Sequence, residues 1–422
     1  MPRYSSADHP LIQAVAWEPE KPAERVNDHI LYSRGTSNAH LVTTTAGDIV
    51  INSGMSYQGP RHRERFEQLL GRPLDVRTII LTQSHPDHLG GWADFADDRT
   101  ETIVTRLFPD IQRERAMLNP FFGPRGARIV GNLMPDPRHL SAWKPEANVA
   151  AFEAATRFVD SHAFTQGDTR VQLYATPSGE TIDALIVWLP DHRTAFTGNF
   201  LGALYGALPH FYTPRGDRDR SIPQFLRDVQ KLIDLQPALL ITGHGAPIEG
   251  ADRIAGDLTR LRDAVRFLHD NTVEGMNAGK SLYQLMQAIR LPPELKTAPG
   301  RGPERWYVRA IWEEYTGWFR QESTTELYGV APAAIWPELA AMAGGADMLV
   351  AAAQAHLAAG RPVEALHMLD VAQAADPSHV RARRIEIAAL EALIAASGGE
   401  SHDELTWLEW KIGQARQMIG EI

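Results

Sequence analysis

The run Val76-Arg77-Thr78-Ile79-Ile80-Leu81-Thr82 leads without a break into Gln83-Ser84-His85-Pro86-Asp87-His88-Leu89-Gly90-Gly91. A short, mainly aliphatic and β-branched run of this kind reads as a strand buried on both faces, which requires a layered α/β fold with helices over the sheet. The exit from such a strand is a place where chemistry is commonly built. Two imidazoles and a carboxylate follow within four residues, on a turn too short to bury them separately. They converge on one point that a hard or borderline cation can occupy. A polar turn with Asp87 as a helix cap accounts for one of these residues and leaves the rest of the string, with its Gly-Gly, unexplained.

The flanking sequence supplies the layers. Residues 38–54 give two β-rich runs broken at Ala46-Gly47-Asp48, the pattern of a hairpin. Residues 61–71 predict a helix with Phe66, Leu69 and Leu70 on one face and Gly71 as its stop. Further strands are predicted at 169–177, 183–190, 194–200 and 238–245. From Thr105 to Pro145 repeated prolines erase any period, and the segment reads as a long loop or insertion. After Gly250 the chain turns helical, first over 253–276, then from Ser281 to Pro292. From Trp336 it is rich in Ala and Leu, and residues 348–396 resemble one helical-hairpin repeat of the tetratricopeptide kind. One such unit is too short for a solenoid, so its apolar stripes pack on the rest of the chain or on a second copy.

Composition narrows the donor set. With no cysteine among 422 residues, disulfides and thiolates are excluded, so a metal must be held by His, Asp, Glu or amide oxygen. Lys+Arg 42 against Asp+Glu 52 gives a net charge of −10, which argues against nucleic acid or an anionic membrane as a partner and for a small-molecule substrate. The N-terminal residues lack the order of a secretory leader, and no stretch of about 18 apolar residues exists. A soluble, cytoplasmic protein is expected. Of the sixteen histidines, His9, His62, His367 and His402 read as surface or cap residues.

The string at 83–88 resembles the HxHxDH signature of the metallo-β-lactamase superfamily, with Gln83 where the first His stands. Three later segments are similar to that superfamily's further motifs. Glu180 in ATPSGET falls at the third and matches the glutamate of the alkylsulfatase branch. Asn199 in GNF replaces the bridging carboxylate, and His244 in TGHG is the last ligand. The stretch from His210 to Gly216 resembles the HNlytlRG segment of alkylsulfatases, where His, Asn and Arg line the sulfate pocket. His210 and Arg215 match, while Phe211 stands in the Asn position and Asp217, Arg218, Asp219 and Arg220 add charge beside them. Residues 266–272, the LPPEL run, RGPERWYVRAIWEEYTGWF and GGADMLV resemble the dimerisation domain of the same branch. The likeness covers about 38–395. The aromatic cluster Trp306, Tyr307, Trp312, Tyr315, Trp318 and Phe319 reads as core, shared across a dimer.

The resemblance implies an αββα metallo-β-lactamase sandwich over residues 1–255, followed by an all-α helical dimerisation domain over 256–422 with the tetratricopeptide-like hairpin, and a homodimer through the latter. It implies Gln83, His85 and Glu180 around one metal, Asp87, His88 and His244 around another, and Asn199 between them. Two zinc ions per chain are expected, either both fully held or the one beside Gln83 weak, because amide oxygen is a poorer zinc ligand than imidazole or carboxylate, with iron or manganese as other metals the set admits. A metal-bound hydroxide would attack a sulfate ester, Asp87 both ligating and orienting water, His210 and Arg215 holding the sulfate. The chain ends where that family continues into a sterol-carrier-like domain, which implies the ester of a smaller or more polar alcohol. Two alternatives stay open: hydrolysis of a carboxylic ester, lactone, amide or phosphoester on the same fold, and a non-catalytic binding or assembly protein with a degenerate metal site.

Overall fold

The computed structural model describes residues 4–130, 152–212, 214–216 and 220–421. Two compact units are distinguished: Pro10–Ala127 with Gly131–Glu314, and Met1–His9 with Arg128–Val130 and Tyr315–Ile422.

The first unit holds two sheets. One has β1 (Glu24–Arg25), β2 (Ile30–Ser33), β3 (Ala39–Thr44), β4 (Gly47–Ile51), β5 (Val76–Ile80), β6 (Glu101–Thr105) and β7 (Thr156–Phe158) in sequence order. The strands are antiparallel up to β4 and parallel from β4 onward. The other has β8 (Ser161–Gln166), β9 (Thr169–Ala175), β10 (Leu185–Leu189), β11 (Thr194–Gly198), β12 (Leu239–Thr242) and β13 (Ile248–Glu249), ordered β13-β12-β11-β10-β9-β8.

Strand alternation assigns the layers. On β4, Ile49 and Ile51 join Ile80 and Ile103 in a core shared with Leu185, Val187 and Leu189 of β10, whereas Val50 faces outward with Leu41 and Ile79 onto Phe66. On β10 the outward pair, Ile186 and Trp188, meets Phe225, Val229 and Leu232 of the Ile222–Asp234 helix and Ile254 and Leu258 of the Ala251–Asn277 helix. Phe66 belongs to the Gly59–Leu70 helix, closed by Gly71 at φ 67. The result is helix, sheet, sheet, helix. Fully burying each Phe or Leu of this kind contributes about 1.5–3 kcal/mol, so the inter-sheet core and its two outer faces dominate the stability of the unit.

The composition change at Gly250 falls inside this unit, because the Ala251–Asn277, Leu282–Ala288 and Glu304–Thr316 helices bury Leu261, Leu285, Tyr307 and Ile311 in the same cluster as the second sheet. Of the aromatic run, Tyr307 is buried and donates its O–H to Leu208 O at 3.0 Å, while Trp318 is 74% exposed. In the second unit, Ala346–Ala358 and Pro362–Ala375 form the expected helical hairpin around Gly360, with Ala353, Ala365 and Ala372 at their contact, and Val380–Ser397 and His402–Met418 continue it.

Two expectations are corrected. Residues 108–130 form a 23-residue helix, Phe108–Val130, where a loop was expected. Pro120 and Pro124 lie inside it, each costing about 3 kcal/mol in a helix interior and hiding the period, but buried Phe108 and Ile129 anchor the element. The rest of that expected loop, from residue 131, lies outside the described residues. His9, His62 and His402 are buried, whereas His367 is exposed. Each buried ring finds a polar partner: Glu400 O at 3.3 Å for His9, Ser33 Oγ at 2.7 Å for His62 and Asp403 Oδ1 at 3.0 Å for His402. No helix among the described residues is long and apolar enough to cross a membrane.

Candidate metal centre

The turn after β5 is held from three sides. Asn52, in the left-handed region at φ 58, accepts hydrogen bonds on Oδ1 from Thr82 N (2.9 Å) and Thr82 Oγ1 (3.0 Å). Asp183 Oδ2 accepts from Ser84 N at 2.8 Å. Pro86–Leu89 makes a single helical turn, and Gly90 and Gly91 then pass so close to the 53–59 segment that a Cβ on either would lie 2.4 Å from its backbone, at Ser56 N and Ser53 O respectively. The Gly-Gly is therefore required by packing, and it fixes where His85, Asp87 and His88 point.

Asp87, His88 and His244 bring their ligand atoms within 4.8 Å of one another, although His244 arrives on a separate loop after β12. His88 Nε2 and His244 Nε2 lie 3.6 and 3.8 Å from Asp87 Oδ2, and the rings stand at 81°. The hydrogen bonds set both tautomers. Ser37 Oγ gives its proton to Gly243 O at 3.1 Å, so toward His88 Nδ1, also at 3.1 Å, it can only accept. His244 Nδ1 faces Thr36 O, which is purely an acceptor. As neutral ligands both rings would carry the proton on Nδ1 and turn Nε2 toward Asp87; Nε2 of His88 is buried with no hydrogen-bond partner among the described residues. Burial lowers His88 to about 4, so it is neutral at pH 7. Burial would raise Asp87, but the imidazoles of His88, His244 and His85 outweigh it and hold the carboxyl below its usual range. The neutral His88 imidazole, the His244 ring and the Asp87 carboxylate, with their ligand atoms turned to one point, fit a divalent cation. Ser37→Ala, which frees the His88 ring and its tautomer, is expected to weaken zinc binding about 10–100-fold in a competition titration against a chromogenic chelator.

The remaining expected ligands gather around Glu180, on the loop between β9 and β10. Its Oε2 accepts from Gln83 Nε2 at 3.2 Å and from Asn199 Nδ2, with His85 Nδ1 at 3.4 Å. Its Oε1 accepts from Arg215 Nη2 at 3.2 Å, with His210 Nε2 at 3.7 Å. Burial would raise Glu180, but His85, Arg215 and His210 together hold it well below the usual range, so it is a carboxylate at neutral pH. Gln83 Oε1, Asn199 Oδ1 and His85 Nε2 are buried with no hydrogen-bond partner among the described residues.

Arg220 Nη2 can only donate to His210 Nε2, at 3.0 Å, which leaves the proton of the neutral ring on Nδ1, a buried donor without a partner among the described residues. Burial, with Arg220 and Arg301 nearby, keeps His210 well below its usual value and uncharged. Phe211, in the position of the family's Asn, is a core residue against Phe225 and Tyr307. Asp217, Arg218 and Asp219 lie outside the described residues, and Arg220 is buried. A cleft of about 140 Å³ opens beside Glu180, lined by Ile111, Arg115 and Phe122 of the Phe108–Val130 helix and by Thr181 and Ile182. The sequence alone did not single out Ser37, Thr36, Asn52 or Asp183: each acts through one or two hydrogen bonds to a distant part of the chain, and only Thr36 and Ser37 are hinted at, by the 35–38 Gly-Thr-Ser-Asn string, a turn before a strand.

The metallo-beta-lactamase superfamily model matches residues 32–244, and the alkyl sulfatase dimerisation model matches 282–404. The chain is 25% identical over 405 residues to a linear primary-alkylsulfatase of Pseudomonas sp., covering 90% of this chain and 74% of that one. It is 23% identical to the alkyl/aryl-sulfatase BDS1 of Saccharomyces cerevisiae, covering 92% and 66%. The solved structure of the stereoselective inverting sec-alkylsulfatase Pisa1 from Pseudomonas sp. superposes with a TM-score of 0.77 at 19% identity, over 94% of this chain and 66% of that one. The chain thus spans about two thirds of the length of the latter two proteins.

Proposed function

The chain belongs to the metallo-beta-lactamase superfamily, and from that premise we propose that it is a zinc-dependent hydrolase of sulfate esters of small organic alcohols. The observation that carries this reading is the pairing of two sites in one unit: the convergence of Asp87, His88 and His244 on one point, and the Arg215 guanidinium on Glu180. A bound zinc supplies Lewis acidity, letting water act as nucleophile at neutral pH and drawing off charge that develops on the ester. The chain's own groups do the rest. Asp87, whose side chain is 20% exposed, keeps an oxygen accessible to accept a proton from the attacking water. Arg215, also 20% exposed and oriented by Glu180, offers a guanidinium fork to the sulfate oxygens, and His210 Nδ1–H adds a neutral donor. The cleft lined by Ile111, Phe122 and Ile182 fits a modest apolar alcohol.

The likeness to alkylsulfatases across nine tenths of the chain supports the sulfate ester over the other ester classes. A homodimer through the helical region is supported by the dimerisation match at 282–404 and by exposed Trp318, Tyr328, Ile335 and Met342 within it. The test is inorganic sulfate release from a panel of short alkyl and aryl sulfates, with parallel carboxylic and phosphate esters. Sulfate release that a chelator abolishes and zinc restores is expected; hydrolysis confined to the other esters would overturn the assignment.

A further inference from the structure

The two expected metal positions differ in what already fills them, and we infer that the centre takes one divalent cation per chain, with Glu180 serving to position Arg215. This rests on the functional reading above.

A carboxylate that ligates a cation must present free lone pairs to it. Glu180 has none to spare on Oε2, the oxygen beside Gln83, Asn199 and His85. Gln83 and Asn199 both direct NH₂ groups at Oε2, and Arg215 directs a guanidinium N–H at Oε1. The amide orientations follow from chemistry, because turning either oxygen toward Glu180 would set acceptor against anion. A second cation on Oε2 would have to expel two hydrogen bonds and replace them with two neutral amide oxygens. It would also share its one anionic ligand with Arg215, whose charge already balances Glu180.

At the other position the bookkeeping is reversed. Asp87 has no Arg or Lys among its ion-pair partners in the described residues, and the neighbouring imidazoles have their Nδ1 protons committed to Ser37 and Thr36. The unused oxygen of Asn199 also points away from Glu180. A Cβ on Gly243 would lie 2.5 Å from Asn199 Oδ1 and 2.7 Å from His88 Cε1, so this oxygen and the His88 ring flank the same glycine. Asn199 therefore separates the two halves of the site: its NH₂ closes the Glu180 half, and its oxygen faces the His88 half.

In this arrangement Glu180, Gln83 and Asn199 form a singly negative, hydrogen-bonded frame that Arg215 neutralises. The frame sets the guanidinium beside the reacting ester, where a second metal ion would otherwise withdraw charge.

The experiment is metal content per chain by plasma mass spectrometry after zinc saturation and gel filtration, on the full-length protein. One zinc is expected in the wild type. Glu180→Gln is expected to keep one zinc while raising KM for the best sulfate ester about tenfold, more than it lowers kcat, since only substrate anchoring is disturbed. Gln83→His with Asn199→Asp is expected to raise the count to two. Two zincs in the wild type, loss of zinc in Glu180→Gln, or a double variant that stays at one would each overturn the inference. A wild type that takes up no zinc would overturn the functional reading itself, so the two failures are distinguishable.

Discussion

Replacing His244 with alanine is expected to leave a folded protein that has lost both its metal and its hydrolytic activity. His244 sits on the loop after β12, a strand anchored in the core by Leu240 and Ile241, and its own ring meets the His88 ring and the Thr36 carbonyl. Its removal deletes one of the three donors that converge on one point among the described residues, leaving Asp87 and His88. Loss of a hydrogen bond behind a metal ligand costs about 10–100-fold in affinity, and loss of the ligand itself must cost more. Without the cation, activated water and charge withdrawal vanish together, so kcat/KM should fall by at least about 10³-fold, the scale seen when a transition-state stabiliser is removed. The checks are zinc per chain, sulfate release and a thermal melt followed by circular dichroism. A variant that melts as the wild type does yet retains activity within tenfold would remove the metal from the mechanism.

The layers of the fold are legible in the sequence wherever burial on both faces imposes a pattern. β4, β5, β10 and β12 are aliphatic because one face meets the other sheet and the second meets helices. The edge elements are not legible. β1 is a two-residue strand, Glu24–Arg25, and β8 alternates half-buried and exposed residues, so neither concentrates apolar side chains. The Phe108–Val130 helix is hidden by Pro120 and Pro124, whose local penalty is offset by burial that no window of sequence reveals.

The metal string announces itself because three donors fall within four residues of the chain, whereas the groups that set their tautomers and hold the turn are scattered. Ser37 is 51 residues from His88, and Asp183 is 99 residues from the Ser84 amide it holds. Each belongs to an ordinary turn and acquires meaning only when two sheets bring their loop ends together. The two substitutions that set this chain apart, Gln83 and Asn199, illustrate the same limit. As letters they are weaker ligands; in the structure they share one acceptor, Glu180, and their oxygens have no hydrogen-bond partner among the described residues.

Arg215 supplies the sharpest discrimination between a sulfate and a neutral ester. Its guanidinium is fixed by Glu180 at 3.2 Å, so the order needed to grip an anion is built before substrate arrives. A hydrogen bond to a charged group contributes about 1.5–3 kcal/mol net, which predicts a 10- to 100-fold fall in kcat/KM for a sulfate ester in Arg215→Ala, roughly. The loss should exceed that of a simple truncation, because the uncovered Glu180 carboxylate then faces an anionic substrate. Arg215→Lys should recover only part of it, since an ammonium restores the charge without the planar fork. A neutral carboxylic ester of the same alcohol, if turned over at all, should be hydrolysed by Arg215→Ala within about twofold of the wild-type rate, because nothing in it calls for a cation. Parallel steady-state measurements on the two esters decide the matter. A fall on the sulfate alone assigns Arg215 to anion recognition, an equal fall on both assigns it to the scaffold around Glu180, and no fall on either removes the sulfate from this side of the cleft.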